Sequence, residues 1–569
     1  MLVLRSIIFG TQTGNAECYA RQIFQIARYH CNSLHVVDMS KVNLKYFSQF
    51  SVEDVALLIL STAGRGQPPS ELLKSGLWIS VMKKVPVGVE NLQLCKFALI
   101  GLGDSSYLEF NYAAKKMFRR LVQLGATFVM PMCLSDEQHS QGTDGAIFPW
   151  LDDLWIALDI SNTPVHANAF PLFTVINETL PAVDEYEIKT TYTVKSNERI
   201  TPEHHWQDVR LLSFNYDMDY EQGAVLEILP SNSSEDVSRF IVCTGINANL
   251  IVSVKDLYTY PKSIIWLLYN HFDLKRIPDR GQIKRLYQLL KDDSNTDADE
   301  IDRLLELSKD YDDYISYCRT PRRTIVELLE DFRCASRLLQ NPSILFELLY
   351  SIRPRYYCIC SNSTVHKGVL QILFVVVQYH SSIRRKREGL CSNWLASLTP
   401  NNAGIVMKVG KYKSFVFEEE NPLIMIGPGT GISPFRNISY GRWRLPTKQD
   451  VVFFGCRNKS CDLFFEGDWK KLCTDEKYAL SKFIVAFSRD QTEKIYVQHK
   501  IKENQDQLSD LILNHNAYIL ICGSSLQMPE NVIEAIVKCI EHAFPSLNDA
   551  KLYMESLRKK NRIQIDTWS

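Results

Sequence analysis

Short apolar runs that each stop at a loop rich in glycine and hydroxyls constrain this 569-residue chain more than any other feature. Near the start, Leu2–Phe9 runs into Gly10-Thr11-Gln12-Thr13-Gly14-Asn15-Ala16-Glu17. Val55–Leu60 then stops at Ser61-Thr62-Ala63-Gly64, and Lys96–Ile100 stops at Gly101-Leu102-Gly103-Asp104-Ser105-Ser106-Tyr107. Runs of this length, bounded by turn residues and separated by helical stretches, read as buried strands of a parallel sheet. Such sheets bind ligands at the carboxyl ends of their strands, where all three loops fall. Hydroxyls and free N–H groups at the helix start after Gly14 suit a phosphate. Tyr107 offers an aromatic face, and Gly64, Gly101 and Gly103 let backbone approach a flat ring.

A second set lies near the end. Pro422–Ile426 runs into Gly427-Pro428-Gly429-Thr430-Gly431, a strand, glycine turn and helix start suited to a pyrophosphate. Further apolar runs end at Gly455-Cys456-Arg457, at Ser488-Arg489-Asp490 with Lys494-Ile495-Tyr496-Val497-Gln498, and at Cys522-Gly523. Ser488, Arg489 and Lys494 make a cationic and hydroxyl group fit for a phosphate dianion. An arginine at a ribose site accommodates a 2′-phosphate, which favours NADPH over NADH, and Tyr496 can cover the adenine.

Between the two sets the pattern changes. Ser161–Pro181, with three prolines and no periodicity, reads as a linker. Residues 196–201, 208–214 and 224–231 read as strands of an antiparallel barrel. A helical stretch follows from about 235 to 345, with the acidic run 292–302 as an exposed loop and Pro321-Arg322-Arg323-Thr324 opening one helix. Strands resume at 355–360 and 370–379, and Gly389-Leu390-Cys391-Ser392 starts a helix. Arg355 can pair bidentately with a diphosphate.

Composition excludes several classes. A net charge of -1 argues against a nucleic-acid binder, and Arg384–Arg387 reads as a short solvated connection. The apolar start is too short for a membrane span and lacks the marks of a signal peptide, so no membrane anchor is expected. Scattered cysteines, 15 of them, read as free thiols in a reducing, cytoplasmic compartment. Neither Cys358-Ile359-Cys360 nor the Cys456 and Cys461 pair has the spacing of a zinc site, so no metal is expected.

Taken together, the three loop sets resemble the diflavin reductases over essentially the whole chain. The resemblance implies an α/β multidomain fold in three cofactor domains. A flavodoxin-like FMN domain would span residues 1–160 and a linker 161–185. An antiparallel β-barrel FAD domain would span 186–410 with a helical connecting insert at about 235–345, and a Rossmann-like NADPH domain 411–569. FMN would sit on Thr11-Gln12-Thr13-Gly14-Asn15-Ala16, Ser61-Thr62-Ala63-Gly64 and Leu102-Gly103-Asp104-Ser105-Ser106-Tyr107-Leu108-Glu109-Phe110-Asn111, with Asp136-Glu137 as an acidic loop beside it. FAD would be held by Arg322, Arg355, Tyr356, Tyr357, Cys358 and Gly389-Leu390-Cys391-Ser392, with Tyr357 on the ring. NADPH would meet Thr430, Ser488, Arg489, Lys494, Ile495, Tyr496, Val497, Gln498 and Asn531. Trp568 would cover the FAD ring where nicotinamide must go, with Cys358, Cys522 and Asp566 alongside as the catalytic group.

Five positions depart from the family pattern. Ala63 replaces a second stacking aromatic, Cys358 a serine, Ser524-Ser525 an acid or amide followed by alanine, and Asn531 an aspartate. Within the family, the loop at 101–107, Arg353-Pro354-Arg355, 391–398 and 451–458 resemble the cytosolic branch that serves iron–sulfur cluster assembly. Its acceptor is an anamorsin-type iron–sulfur protein. Two other readings stay open: a diflavin reductase for another acceptor, such as a haem protein, and a flavoprotein scaffold without turnover.

Overall fold

The computed structural model of the chain describes residues 2–11, 14–27, 31, 34–62, 66–73, 76–83, 92, 94–105, 109–139, 142–159, 173–176, 191–254, 260–291, 296–402, 405–443, 449–524 and 527–568. By internal packing these fall into two units. One holds residues 1–183, 231–353 and 380–387, the other 184–230, 354–379 and 388–569.

In the first unit, strands lie in the order His35–Asp38, Val3–Gly10, Asp54–Ser61, Lys96–Gly103 and Thr127–Phe128, with Cys133–Asp136 also on Lys96–Gly103. Every pairing is parallel. Val55–Leu60 is 0% exposed throughout, which is why it reads as an unbroken apolar run: both faces of the sheet are covered. Helices Asn15–Ala27 and Asp144–Ala157 pack on one face, Leu77–Met82 and Tyr112–Gln123 on the other. The chain reverses direction across the sheet after Val3–Gly10, so a crevice opens at the carboxyl ends of Val3–Gly10 and Asp54–Ser61.

The rest of this unit is a helical body around Phe240, Leu267, Phe272, Leu286, Leu328 and Phe346. Polar residues fix its helix starts. Ser233 caps Ser234–Thr244, and capping boxes at Asp279 and Thr324 open Arg280–Leu290 and Ile325–Asp331.

Three expectations change here. The acidic run 292–302 is not simply a loop, because Asp297 caps the helix Ala298–Lys309 and Asp299 and Glu300 occupy its first turn. Acids there oppose the positive helix end, so the same charges that suggest solvent also start a helix. The expected linker contains a strand, Phe173–Ile176, antiparallel to Ile251–Val254. Its β-branched Thr-Val-Ile favours pairing despite the flanking prolines. The other residues of that segment lie outside the described ones.

The basic stretch Arg384–Arg387 is a solvated connection only in part: Arg384, Arg385 and Lys386 are exposed, and Arg387 is not. Arg387 is 9% exposed, donates from Nη1 to both oxygens of Glu327 at 2.9 and 2.8 Å, and from Nε and Nη2 to the Pro321 carbonyl at 3.1 and 2.9 Å. Arg385 adds a bond to the same carboxylate. Burial pushes the Glu327 carboxyl up, but these arginines and the Thr324 N–H hold it below the usual range. A buried carboxylate needs a fixed cation, and its partner lies sixty residues away.

The second unit holds two antiparallel sheets and one parallel sheet. Val369–Val375, Val209–Asn215 and Val194–Arg199 form one antiparallel sheet. Arg355–Cys358, Ala224–Ile228, Ile405–Lys413 and Thr191–Tyr192 form the other. Leu212, Phe214, Leu226, Ile372 and Phe374 share one core between them, and a bridge joins Ile359 to Ile372. The parallel sheet runs Leu480–Phe487, Asp450–Cys456, Leu423–Ile426, Tyr518–Ser524 and Ile563–Trp568, with apolar cores on both faces. Cysteines whose side chains are described are free thiols. Among the described residues, no helix is long and apolar enough to cross a membrane.

Candidate functional site

In the first unit, parts of all three expected loops lie at the carboxyl ends of the strands. Thr11 follows the first strand, and its buried hydroxyl has no hydrogen-bond partner among the described residues. Gly14 has φ +85°, with open space where a side chain would stand, and Asn15 then starts its helix. The Asn15 carboxamide oxygen accepts from Arg353 at 3.5 Å, and Ala16 is fully buried. Ser61 donates to the Gly10 carbonyl at 3.0 Å, so the first two loops are tied together. Thr62 N–H bonds the Leu102 carbonyl at 2.8 Å while its hydroxyl is buried without a partner.

The third loop is held from below by Asn111, which takes a left-handed turn (φ 53°) and donates to the Ser135 carbonyl at 2.8 Å. A side chain on Gly103 would meet Asn111 at 2.8 Å, which explains the glycine. Ser105 N–H donates to Asp136 at 2.8 Å, and Glu137 N–H to the Gly103 carbonyl at 2.9 Å. Asp104, Glu109 and Phe110 flank this loop, with the Phe110 carbonyl accepting from Lys115 at 2.8 Å. Burial pushes the Asp136 carboxyl up, yet the bonds from Ser105 and Gln138 prevail and hold it below the usual range. Glu137 goes the other way, raised by burial and by neighbouring Asp104. Gln12, Thr13, Ala63, Gly64, Ser106, Tyr107 and Leu108 lie outside the described residues.

In the second unit, Arg355, Tyr356, Tyr357 and Cys358 form one strand. Tyr357 packs edge-on to Phe374 at 6.2 Å and neighbours Cys391. Burial pushes the Tyr357 hydroxyl well up and the Cys391 thiol up to about 11. Gly389 caps Leu390–Ser397; a side chain on it would meet the Ser392 hydroxyl at 2.8 Å. That hydroxyl accepts from Val377 N–H at 3.0 Å, pinning the loop. Leu390 and Cys391 are buried beneath it. Arg322 belongs to the first unit, exposed on a left-handed turn (φ 53°) just before the Thr324 cap.

At the parallel sheet, Gly429 has φ +60° with open space beside it, and Thr430 follows in the turn. Ser488 is 8% exposed, whereas Arg489, Lys494 and Tyr496 are exposed. Arg489 donates to the Ser488 carbonyl at 2.8 Å, and its N–H bonds the Arg457 carbonyl at 2.9 Å. Ile495 precedes Tyr496, and Val497 and Gln498 begin the helix that Tyr496 caps. Asn531 is exposed in the first turn of Met528–Ile540.

Cys358, Cys522 and Asp566 converge although 208 residues separate the first from the last. Cys522 lies directly opposite Asp566 in neighbouring strands, and Ser524 opposite Trp568. The Cys358 thiol stands 4.0 Å from the Asp566 carboxylate and 3.5 Å from the Ser414 hydroxyl. Ser414 also hydrogen-bonds Asp566. Cys522 is fully buried, which with neighbouring Cys358 raises its thiol well above the usual value. Asp566 is raised by burial, opposed by the Ser414 bond. Trp568 stays 42% exposed at the strand end.

Family models match in the order the loops imply. Flavodoxin matches residues 7–150, an FAD binding domain 186–394, and an oxidoreductase NAD-binding domain 425–533. A curated relative from Mus musculus, NADPH-dependent diflavin oxidoreductase 1, is 32% identical over 99% of both chains. Proteins of the same name from Xenopus laevis and Schizosaccharomyces pombe are 33% and 31% identical, again over 99% of each chain. The chain belongs to the NADPH-dependent diflavin oxidoreductases. It is an oxidoreductase whose cofactors are FMN, FAD and NADPH.

The residues fit these groups. Orphaned hydroxyls at Thr11 and Thr62 await an acceptor in the first unit, and Ser433 holds another buried, unpartnered hydroxyl at the helix start after Gly431. Sequence reasoning missed Ser414 in this diflavin oxidoreductase, because a lone serine after a strand carries no motif. Sequence reasoning also did not foresee that Arg457 lies over the Trp206 ring at 3.8 Å. An exposed tryptophan 251 residues upstream gives no local signal.

Proposed function

We propose that this diflavin oxidoreductase passes electrons from NADPH through FAD and FMN to an anamorsin-type iron–sulfur protein, feeding iron–sulfur cluster assembly in the cytoplasm. The convergence of Cys358, Cys522, Asp566 and Ser414 carries the hydride-transfer part of this reading. The acceptor rests on the resemblance of residues 101–107, 353–355, 391–398 and 451–458 to that branch of the family. We read the residues in four segments: 1–160 for FMN, 161–185 as a connection, 186–410 for FAD with the insert at about 235–345, and 411–569 for NADPH. The two antiparallel sheets are read as halves of one barrel, and the parallel sheet as Rossmann-like.

Flavins supply hydride acceptance and one-electron transfer when bound; the chain supplies position, charge and access. Thr11, Asn15 and the N–H groups after Gly14 hold the FMN phosphate, and the loops at Ser61 and Leu102 flank its ring. Arg355 takes the FAD diphosphate, Tyr357 its ring, and Gly389 to Ser392 the second phosphate. Ser488, Arg489 and Lys494 bind the 2′-phosphate of NADPH, while Trp568 covers the place of the nicotinamide.

Anaerobic mixing of the enzyme with NADPH and a purified anamorsin-type protein tests the acceptor. Bleaching of the partner's cluster absorbance is expected. Unchanged clusters, with a small-molecule acceptor still reduced, would reject the partner and leave the reductase standing.

Cys358 is predicted to tune the rate. A thiol donates a weaker hydrogen bond than the serine of relatives. A difference of about 1 kcal/mol corresponds to roughly fivefold in rate. Cys358→Ser should therefore speed flavin reduction by NADPH about fivefold in stopped-flow measurements; an unchanged or slower rate counts against the role.

A further inference from the structure

The same corner offers a second chemistry. Cys358 Sγ, Cys522 Sγ and a carboxylate oxygen of Asp566 all lie within 4.8 Å of one another, the separation expected of donors around one ion. The Ser414 hydroxyl is 3.5 Å from Cys358 Sγ and completes a four-donor group. We propose that Cys358, Cys522, Asp566 and Ser414 form a binding site for a thiophilic d10 divalent cation, Zn²⁺ or Cd²⁺.

Geometry supports the choice of ion. Two thiolates around tetrahedral zinc, with Zn–S near 2.3 Å, stand about 3.8 Å apart. The donors here already approach that spacing, and Cys358 to Asp566 is 4.0 Å. Two sulfurs select a soft ion; Mg²⁺ and Ca²⁺ demand six or more oxygens and find only two oxygen-bearing side chains. Two thiolates and a carboxylate also outweigh the charge of one divalent ion, so it enters without an uncompensated positive charge.

The donors stand on rigid elements. Cys522 and Asp566 are opposed in register across neighbouring parallel strands, and Cys358 ends a strand paired to Val225. Ser414 is fixed through its N–H to the Gly223 carbonyl at 2.9 Å. Cys522 is fully buried, while Cys358 and Asp566 are half-buried. Sequence spacing hides such a site because its donors come from four separated segments. Relatives with serine at position 358 would lack one sulfur.

Coordination follows from the geometry alone; its effect on turnover rests on the proposed hydride site. A bound ion would tie up the groups beside the reacting rings and block NADPH-driven reduction while leaving electron flow beyond FAD intact.

The test uses reduced holoenzyme, Cd²⁺ and X-ray absorption at the cadmium edge, with equilibrium dialysis for affinity. Wild type is expected to bind one tight Cd²⁺ with two sulfur neighbours. Cys358→Ser should lose at least about 100-fold in affinity, since losing a sulfur ligand exceeds the 10–100-fold typical of outer-shell changes. Cys461→Ser, remote from the site, serves as the control and should bind as wild type. Equal affinity in Cys358→Ser, or a single sulfur neighbour, would overturn the site. Tight two-sulfur binding with NADPH reduction of the flavin unaffected would instead reject the hydride-site reading and uphold the metal site.

Discussion

Replacing Asp566 by asparagine should lower kcat for NADPH-driven reduction by about 100-fold, the lower end of what a positioned acid or base contributes, with KM nearly unchanged. On the proposed function the carboxylate lies beside the place where a hydride leaves a nicotinamide, and loss of that hydride develops positive charge on the donor ring. A fixed negative charge there favours the transition state over the ground state. Asparagine keeps shape and backbone pairing with Cys522 and removes the charge. The pH dependence follows from the direction of the shift. Burial raises the Asp566 carboxyl above its ordinary value, opposed by Ser414. Activity should therefore climb as pH rises through the raised value, and the variant should lose that limb.

Stability runs the other way. A carboxyl raised on folding contributes stability that is complete below its unfolded pKa and fades as pH rises through the folded one. Near neutral pH the variant should thus be as stable as wild type or slightly more so. Stopped-flow rates from pH 5.5 to 8.5, paired with thermal unfolding, separate chemistry from damage. A kcat within twofold of wild type would sink the assignment.

Much of this enzyme was legible before its fold was known, for reasons that differ by region. Val55–Leu60 and Leu423–Ile426 are buried on both faces, so their burial is written directly as apolar runs. The loops that follow them are short and local, and their glycines mark where backbone must approach. Arg387 was misread because a basic stretch looks solvated until its partner is known, and Glu327 is distant in sequence. The acidic residues before Lys309 were misread because helix-starting acids and loop acids have the same composition. Ser414 was illegible for a third reason, and the meeting of Cys358, Cys522 and Asp566 was legible only through the family resemblance. Strand order in the second unit, not sequence proximity, brings residues 358, 414, 522 and 566 together.

The largest structural effect should come from one methyl group. In Gly431→Ala the added Cβ would stand 2.2 Å from the Cys522 carbonyl oxygen, 2.7 Å from its carbon and 3.0 Å from the Gly523 Cα. All three are backbone atoms, so no side chain can swing away. Either the glycine turn or the strand Tyr518–Ser524 must move by about 1 Å to restore ordinary contact. That strand is paired on both sides, to Leu423–Ile426 and to Ile563–Trp568. Overpacking of this kind costs about 3 kcal/mol, which lowers the melting temperature of a domain this size by roughly 6–12 °C. Because Cys522 rides on the displaced strand, NADPH-driven reduction should fall further than stability, by about 100-fold for a 1 Å misplacement. Gly429→Ala provides the contrast. Its φ of +60° disfavours a side chain, but nothing stands within 4 Å of the new Cβ. Only the backbone preference, about 1 kcal/mol, is lost there. Calorimetry and single-turnover reduction of the two variants side by side distinguish a steric lock on the hydride site from a merely strained turn. Equal losses in both would show that the contact with Cys522 has no special part.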